Sequence, residues 1–205
     1  MPSGAPFCLQ ISFNATHAED GDKRPGIGHY PWPKVTDGMY EDLEMPLPRL
    51  NDPAIYEAQP EFLKQSINRA RYFWRWDTPE KYQTNMRAYF RMISGIDHVV
   101  GRLVAQLEEQ GLADNTVIIY ISDNGIAFPG AKTTLYEPGM NLPCIVRTPW
   151  QKNKGIACDA VLNYADLAPT ILDLAGALPS DYQFHGKSFR SVLERQHAED
   201  WDTTY

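Results

Sequence analysis

Three features of the 205-residue sequence predict an α/β fold with a largely parallel central sheet flanked by helices. A segment between residues 78 and 110 repeats apolar residues at three- and four-residue steps, which is typical of a helix. A β-branched run at 116–121 follows it, and a second apolar run at 142–147 comes soon afterwards. Helices that alternate with apolar strands favour a layered fold in which helices cover a parallel sheet.

The composition indicates a folded protein and excludes some classes of partner. Hydrophobic residues make up 43% of the chain, enough for a packed core, and the net charge of −7 comes without a cluster of lysine and arginine. A nucleic-acid partner is therefore not expected, because binding to phosphates needs such a basic surface. No apolar run reaches the roughly 18 residues of a membrane span, and the start has no signal-peptide pattern. The oligomeric state is left open.

The first 76 residues are predicted to contain one strand and one long loop. Residues 6–14 suit a mostly buried strand, which ends in a polar turn at residues 14–17. Residues 18–76 hold many of the 16 prolines and form the long loop insertion, with a short helix near residues 60–71. Loops of this length inside a compact domain usually cover a binding site, so we expect this one to lie on the substrate side.

The clearest helix is predicted from Thr78 to about Gln110. Thr78 is a good N-cap, Pro79 suits the first helical position, and Gly111 can end the helix. One face is apolar and is expected to pack on the core. That face consists of Met86, Tyr89, Phe90, Ile93, Ile96, Val100, Leu103, Val104 and Leu107.

Three strands and a shorter helix are predicted in the second half of the chain. Residues 116–121 have the pattern of a strand buried on both faces, residues 142–147 that of a second strand, and residues 157–162 that of a third. Asp166 can cap a helix that ends at Gly176.

Polar residues at the ends of predicted strands form the candidate site. Asp123 and Asn124 follow a strand and offer a carboxylate and an amide oxygen, which suit Ca²⁺ or Mg²⁺. The same Asp-Asn-Gly sequence is also common in ordinary turns, so it does not define a metal site by itself. Lys132 lies just before another strand, and His17 follows the first one. If the four converge on one cleft, they provide a cation site, a positive charge for an oxyanion and a proton donor.

Five or six ordered motifs resemble the sulfatase family of the alkaline-phosphatase-like superfamily. They are P-F-C-L-Q-I-S-F-N-A-T-H, Y-F-R-M-I-S-G-I-D-H-V-V-G-R-L-V, N-T-V-I-I-Y-I-S-D-N-G, G-A-K-T-T-L-Y-E-P-G-M-N-L-P-C-I-V-R, N-Y-A-D-L-A-P-T-I-L-D-L-A-G and H-G-K-S-F-R-S-V-L. The S-D-N-G-I-A-F-P and L-Y-E-P-G segments look most similar to the sulfamidase branch. The resemblance implies that superfamily's layered fold and hydrolysis of sulfate esters or N-sulfates of sugars.

The resemblance also implies a role for each candidate residue. Asp123 and Asn124 would be two ligands of Ca²⁺, with Mg²⁺ as an alternative. Lys132, a position that is sometimes Arg in sulfamidase-like members, would bind the sulfate oxygens. His17 would contact the sulfate and act as the general acid toward the leaving oxygen or nitrogen. The substrate would be a sulfated carbohydrate.

The chain departs from the family pattern at the nucleophile. No C-x-P-S-R or S-x-P-S-R string, whose Cys or Ser becomes formylglycine, and no Asp-Asp pair occurs in the 205 residues. We therefore expect residues 1–195 to be a partial catalytic domain, the C-terminal part of a sulfatase, with residues 196–205 beginning a truncated C-terminal region. Formylglycine is expected in the missing N-terminal part, and this chain alone is expected to be inactive. The resemblance implies a parent protein that is periplasmic, secreted or lysosomal.

Two other functions remain open from the sequence. One is a phosphodiesterase or phosphonate monoester hydrolase of the same superfamily, which shares metal ligands at strand ends. The other is a non-catalytic glycan-binding remnant, in which aromatic residues of the long loop would stack on sugar rings. The same side chains can equally pack the loop onto the protein body. They are Tyr30, Trp32, Tyr40, Tyr72, Phe73, Trp74 and Trp76.

Overall fold

The computed structural model describes residues 4–22, 29–152, 154–195 and 201. The chain divides into a first unit, Met1–Glu109 with Ser122–Leu142, and a second unit, Gln110–Ile121 with Pro143–Tyr205. The helices are α1 (Pro53–Glu57), α2 (Glu61–Lys64), α3 (Ile67–Arg75), α4 (Pro79–Glu109), α5 (Glu137–Met140), α6 (Leu167–Leu174) and α7 (Arg190–Arg195). The strands are β1 (Ile118–Ile121) and β2 (Cys144–Arg147), and short 3-10 helices lie at Lys34–Thr36, Ala113–Asn115 and Tyr164–Asp166.

Helix α4 is the principal helix of the first unit, and its prediction from sequence is confirmed. The Thr78 hydroxyl accepts a hydrogen bond from the Lys81 amide at 3.3 Å, as an N-cap should. The helix ends at Glu109, and Gly111 follows with a positive φ of 66°. Glycine adopts this left-handed conformation without steric cost, so it ends the helix where the sequence indicated.

The face of α4 that is buried differs in part from the predicted apolar face. Phe90 and Ile93 are more than one-third exposed, whereas the buried positions include polar ones. Those positions are Asn85, Ala88, Arg91, Met92, Gly95 and Ile96. The polar positions are buried because backbone packs against them: Asn85 Oδ1 accepts from the His29 amide at 2.9 Å, and Arg91 Nε donates to the Met39 carbonyl at 2.7 Å.

A cluster of aromatic rings forms the core of the first unit. Tyr30 is fully buried and Trp76 is 8% exposed. The Trp76 ring centroid lies 4.5 Å from that of Phe128 and 5.9 Å from that of Tyr30, while Tyr89 of α4 lies 5.2 Å from Phe128. These tilted and edge-on contacts are the arrangements that aromatic pairs favour. Tyr30 and Trp76, two of the long loop's aromatic residues, therefore pack the loop onto the protein body.

The segment of residues 18–76 contains more helix than the sequence indicated. The helix expected near residues 60–71 is two helices, α2 and α3, and the second extends to Arg75. The segment is also tied to α4 through backbone groups, since the Gln83 side chain both accepts from the Met45 amide at 2.8 Å and donates to the Met45 carbonyl at 2.9 Å. Backbone groups of its described residues are therefore satisfied in part by side chains of α4 and in part by local turns.

The sheet of the second unit differs from the predicted one. β1 and β2 pair antiparallel, with Ile118 opposite Arg147 and Ile121 opposite Cys144. The expected largely parallel arrangement is therefore not seen within the described ranges, where these two strands form the whole sheet. β1 is half-buried to exposed, so a strand buried on both faces was also wrong. A continuous β-branched run shows that a segment suits a strand, but the neighbouring strands decide its direction and burial.

Two of the predicted strands are not formed. Residues 6–14 and 157–162 have no strand pairing with any described residue. Leu9 is 63% exposed and Val161 is 70% exposed. A strand needs the amides and carbonyls of a neighbour, which apolar sequence alone cannot supply. The predicted C-terminal region of residues 196–205 lies outside the described residues except for Trp201.

Asp166 organises the second unit in a way that differs from the predicted helix cap. Its fully buried carboxylate accepts hydrogen bonds from the amides of Asn163 at 2.8 Å and Lys187 at 2.9 Å. It makes no side-chain cap on α6. Thr170 joins the same two parts of the chain, since its hydroxyl accepts a hydrogen bond from the Phe189 amide at 3.0 Å. The D-L-x-P-T helix and the H-G-K-S-F segment are therefore joined through backbone amides.

No helix among the described residues is long and apolar enough to cross a membrane.

Replacing Asp166 by Asn should destabilise the second unit. One of the two backbone amides that donate to the carboxylate would then face the NH₂ group of the asparagine. Leaving a buried donor unsatisfied costs about 1–3 kcal/mol. We expect the free energy of unfolding in urea to fall by about that amount. The exposed Asp159→Asn is the matched control and should change it by less than about 0.5 kcal/mol. Equal stability of the two variants would contradict the buried role of Asp166.

Replacing Tyr30 by Phe should make stability less sensitive to alkaline pH. Burial raises the pKa of the Tyr30 phenol well above its usual range, with Arg75 opposing and Tyr89 and Asp20 adding to the effect. The folded state then holds the proton more tightly than the unfolded state, so stability is lost as pH rises above the ordinary tyrosine value of about 10. Tyr30→Phe should remove this contribution.

The same variant should not be destabilising at neutral pH. The Tyr30 hydroxyl is buried without a hydrogen-bond partner in the described part of the chain, and such a group costs about 1 kcal/mol or more. Urea unfolding at neutral and alkaline pH measures both effects. Tyr182→Phe, at a ring that is 64% exposed, is the control. A marked loss of stability in Tyr30→Phe at neutral pH would refute this assignment.

Candidate functional site

His17 and Lys132 line the same cleft in the first unit. The cleft is lined by the His17 turn, by α3 and by the Lys132 segment, so these three parts of the chain lie close together. Its lining residues are His17, Ala18, Asp20, Asn68, Arg71, Arg75, Trp76, Ala127, Phe128, Pro129 and Lys132. Two of the four candidate residues are thus brought together from positions more than one hundred residues apart in the chain.

His17 is held in a defined tautomer by the turn that carries it. Its backbone amide donates to the Asn14 carbonyl at 2.9 Å, and its Nδ1 lies 2.6 Å from the Ala18 carbonyl oxygen. A carbonyl can only accept, so Nδ1 must carry the hydrogen in this contact. Nε2 is then the nitrogen that can take up or release a proton. This contact therefore orients the ring and leaves Nε2 without a hydrogen bond to the described residues.

Lys132 is positioned by a tight turn. The Lys132 amide donates to the Ile126 carbonyl at 2.9 Å, and Thr133 follows with a positive φ of 71°. The Thr133 hydroxyl accepts from the Asn68 side chain of α3 at 2.8 Å, which fixes the turn against the helix. The Lys132 ammonium makes no hydrogen bond or ion pair with the described residues. It is therefore a half-buried cation available to an anion.

Asp123 and Asn124 lie in the turn before this segment and do not line the cleft. Asp123 is exposed and Asn124 is half-buried. The Ser122 hydroxyl donates to the Asn124 carbonyl at 2.8 Å, which stabilises the turn locally. The structure therefore brings His17 and Lys132 into one cleft but leaves the two predicted metal ligands outside its lining.

The glycine after Asn124 fixes this turn against α5. A Cβ on Gly125 would lie 2.3 Å from the Pro138 carbonyl oxygen, and one on Gly139 would lie 2.5 Å from that of Ala131. Both distances are far below van der Waals contact, so neither position accepts a side chain without movement of the backbone. The turn of Asp123 and Asn124, the Lys132 segment and α5 are therefore packed backbone to backbone.

The two predicted metal ligands are of a chemical type that suits a metal ion, but two ligands are too few to hold one. A carboxylate and an amide oxygen suit Ca²⁺, yet this ion takes six to eight oxygen ligands. Within the described ranges, no group of three or more His, Cys, Asp or Glu side chains could hold a metal ion. Asp123 and Asn124 are therefore suited to share a metal site, and they do not form one by themselves.

Four charged or polar lining residues were missed from the sequence. Asp20 lies just beyond the His17 turn, while Asn68, Arg71 and Arg75 come from α3. Positions separated by three and four residues lie on one face of a helix, so Asn68, Arg71 and Arg75 share the face toward the cleft. Their spacing was the available signal. The irregular composition of residues 18–76 concealed it, because α3 was not expected to extend beyond Arg71.

Comparisons with curated proteins show similarity to enzymes that are named as a sulfatase and a sulphohydrolase. The chain is 40% identical over 122 residues to an N-acetylglucosamine-6-O-sulfatase of Bacteroides thetaiotaomicron, covering 57% of this chain and 21% of that protein. It is 34% identical over 130 residues to the human N-sulphoglucosamine sulphohydrolase, covering 60% and 26%. The chain thus spans about a quarter or less of the length of these curated relatives.

The fold comparison and the family model complete the assignment. A phosphonate monoester hydrolase from Silicibacter pomeroyi superposes with a TM-score of 0.67 at 28% identity, covering 83% of this chain and 36% of that one. The model of the Sulfatase family matches residues 1–177, most of the chain. The chain therefore belongs to the sulfatase family, a family of sulfuric ester hydrolases.

Proposed function

We propose that this chain contributes the sulfate-binding and proton-donating part of an active site that hydrolyses sulfate esters or N-sulfates of sugars. The observation that carries the proposal is the shared cleft of His17 and Lys132 in a member of the sulfatase family. Two relatives support the substrate class, since their names specify sulfated or N-sulfated glucosamine.

In this proposal Lys132 binds the sulfate oxygens. Its ammonium has no partner among the described residues and is half-buried, so a bound sulfate replaces water with a charge-assisted contact. Charge also develops on the leaving atom as the S–O or S–N bond breaks. A fixed cation beside the sulfate stabilises that charge without having to reorganise.

His17 acts as the general acid in this proposal. The Ala18 carbonyl occupies Nδ1, so a protonated ring keeps its second proton at Nε2 for the leaving oxygen or nitrogen. Proton donation by a positioned imidazole typically contributes 10²–10⁴-fold to a rate. The hydrogen bond at Nδ1 remains in place in both protonation states, which keeps the ring orientation constant through the transfer.

Asp123 and Asn124 are proposed to hold part of a calcium site, which Mg²⁺ could also occupy. A bound divalent cation would supply charge neutralisation on the sulfate oxygens. Asp123 would contribute a carboxylate and Asn124 its side-chain oxygen. The backbone packing at Gly125 and Gly139 supports this proposal, because it holds this turn and the lysine segment together.

The chain alone is proposed to lack turnover. None of its 205 residues forms the C-x-P-S-R or S-x-P-S-R motif that would provide formylglycine, and Asp123 and Asn124 supply two metal ligands. Residues 1–195 are accordingly proposed to be part of a catalytic domain, whose remaining ligands and nucleophile come from another segment.

A second candidate is a phosphonate monoester hydrolase of the same superfamily. The fold similarity to the Silicibacter pomeroyi enzyme favours it. A lysine and a histidine in one cleft suit a phosphonate ester as well as a sulfate ester, since both present an oxyanion and an alkoxide leaving group. The leaving-group chemistry is shared, so the substrate must be distinguished by assay.

We expect hydrolysis only when a nucleophile motif is supplied. The 205-residue chain with calcium should give no turnover of methylumbelliferyl sulfate or N-sulfoglucosamine. The same chain joined to an upstream segment that carries a C-x-P-S-R motif should hydrolyse at least one of them, and chelation of calcium should abolish this activity. Turnover by the 205-residue chain alone would overturn the proposal. Faster hydrolysis of a phosphonate monoester than of any sulfate would establish the second candidate instead.

Replacing Lys132 by Gln in the joined chain should lower kcat/KM for methylumbelliferyl sulfate by about 10²–10³-fold, the typical effect of removing one charge-stabilising contact. Lys132→Arg should retain more activity, because the guanidinium keeps the charge and can bind two oxygens. Lys34→Gln, an exposed lysine outside the cleft, is the control. If Lys132→Gln is as active as this control, Lys132 does not bind the sulfate.

A further inference from the structure

The cleft carries more positive charge than one sulfate monoester requires. Lys132, Arg71 and Arg75 are cationic lining residues, and Asp20 is the acidic one. This excess of two positive charges occurs in a chain whose net charge is −7. Among these four side chains alone, the single negative charge of a sulfate monoester leaves one cation without an anionic counterpart.

Arg75 is not that cation, because Asp20 already neutralises it. The Arg75 side chain is 1% exposed, and its Nη2 donates directly to Asp20 Oδ1. A buried guanidinium needs such a carboxylate, since an unpaired charge away from water is strongly destabilising. The Arg75 Nε is buried and without a partner among the described residues. Asp20, whose side chain is 42% exposed, therefore pairs with the buried Arg75 guanidinium in the wall of the cleft.

Arg71, unlike Arg75, has side-chain N–H donors that are free to bind an anion. Its Nη2 lies 3.6 Å from Asp20 Oδ2, which is too far for a hydrogen bond. Its side chain is 32% exposed, and it makes no other polar contact with the described residues. Asp20 therefore orients Arg71 by charge while leaving its N–H donors free. An arginine presents these donors as a planar fork that matches the two oxygens of an anion.

The position of Arg71 relative to Lys132 is fixed by α3. Asn68, one turn before Arg71, donates to the hydroxyl of Thr133, the residue that follows Lys132. Arg71 therefore projects from the same helix face that is attached to the Lys132 turn. The two cations are held in one cleft by the same contact, and each has its donors free for a different anionic group.

We propose that Arg71 binds a second anionic group of the substrate, distinct from the sulfate that Lys132 binds. This assignment depends on the proposed function of the cleft. It specifies the substrate as a sugar that carries a sulfate together with a carboxylate or another sulfate on the same or the adjoining ring. Both groups present oxygens of like geometry to a guanidinium, so the two sources share one binding chemistry.

The test measures the affinity of the full 205-residue chain, with calcium, for ligands that differ in one anion. N-acetylglucosamine 6-sulfate carries one anionic group, and N-sulfoglucosamine 6-sulfate carries two. A uronic acid linked to N-acetylglucosamine 6-sulfate carries a carboxylate as its second anion. Calorimetric titration should show about tenfold tighter binding of at least one of the two-anion ligands, as expected for one charge-assisted contact. Whichever is preferred identifies the source of the second anion.

Arg71→Gln should reduce the ratio of the two affinities to about one. Arg71→Lys should retain part of the preference, because the charge remains but the fork does not. Arg102→Gln, an exposed arginine of α4 away from the cleft, should keep the full preference. The preference in the unmodified chain should also decline as salt is added, since the contact is partly exposed. Circular dichroism confirms that each variant is folded.

The outcomes separate this inference from the proposed function. If all three ligands bind and Lys132→Gln weakens every one, while none shows a preference that depends on Arg71, the sulfate site stands and the second anion site is overturned. If no sulfated ligand binds, or Lys132→Gln changes nothing, the proposed function fails and the inference fails with it. An Arg71-dependent preference together with a general loss in Lys132→Gln supports both.

Discussion

The first unit depends on the packing of Trp76 against three other rings. Its ring lies between Phe128, Tyr30 and Tyr82, with centroid distances of 4.5 to 6.2 Å. Phe128 belongs to the segment that carries Lys132, while Tyr82 belongs to α4. Because Trp76 also lines the cleft, one buried side chain links the helix, the loop and the lysine segment. Aromatic rings provide a large buried area with few rotatable bonds, which suits this role.

Hydrogen bonds from polar side chains also hold the first unit together. Asn85 of α4 accepts from the His29 amide and donates to the carbonyls of Arg75 and Lys81. An irregular segment brings unpaired backbone groups into the interior, and each must find a partner. Asn85 meets this need for both ends of the segment between His29 and Arg75. The loop's position is therefore determined as much by hydrogen bonds to α4 as by apolar burial.

The sequence was informative where structure is determined locally. The start, end and length of α4 follow from Thr78, the apolar repeat and Gly111, all of which act within a few residues. Strand pairing was not predictable in the same way. The β-branched run of β1 is compatible with either direction of a neighbour, and direction depends on which segment lies beside it. Two predicted strands without partners were wrong for the same reason.

The residues of the candidate site were likewise predictable from the sequence only in part. His17 and Lys132 could be selected because motifs mark them, and the structure brings them to one cleft. Arg71 and Asp20 belong to no motif, and their ion pair joins residues 51 positions apart, at a distance of 3.6 Å. Other motif positions have a structural role: Asp166 and Thr170 accept backbone amides of the next segment. Residues of the family motifs thus line the cleft at some positions and hold chain segments together at others.

The contacts at Gly125 and Gly139 have a consequence for how this region moves. Because the backbones lie too close for a side chain to fit between them, we expect the Asp123 turn and the Lys132 segment to move together rather than independently. We therefore expect local disorder in this region to affect Asp123, Asn124 and Lys132 together.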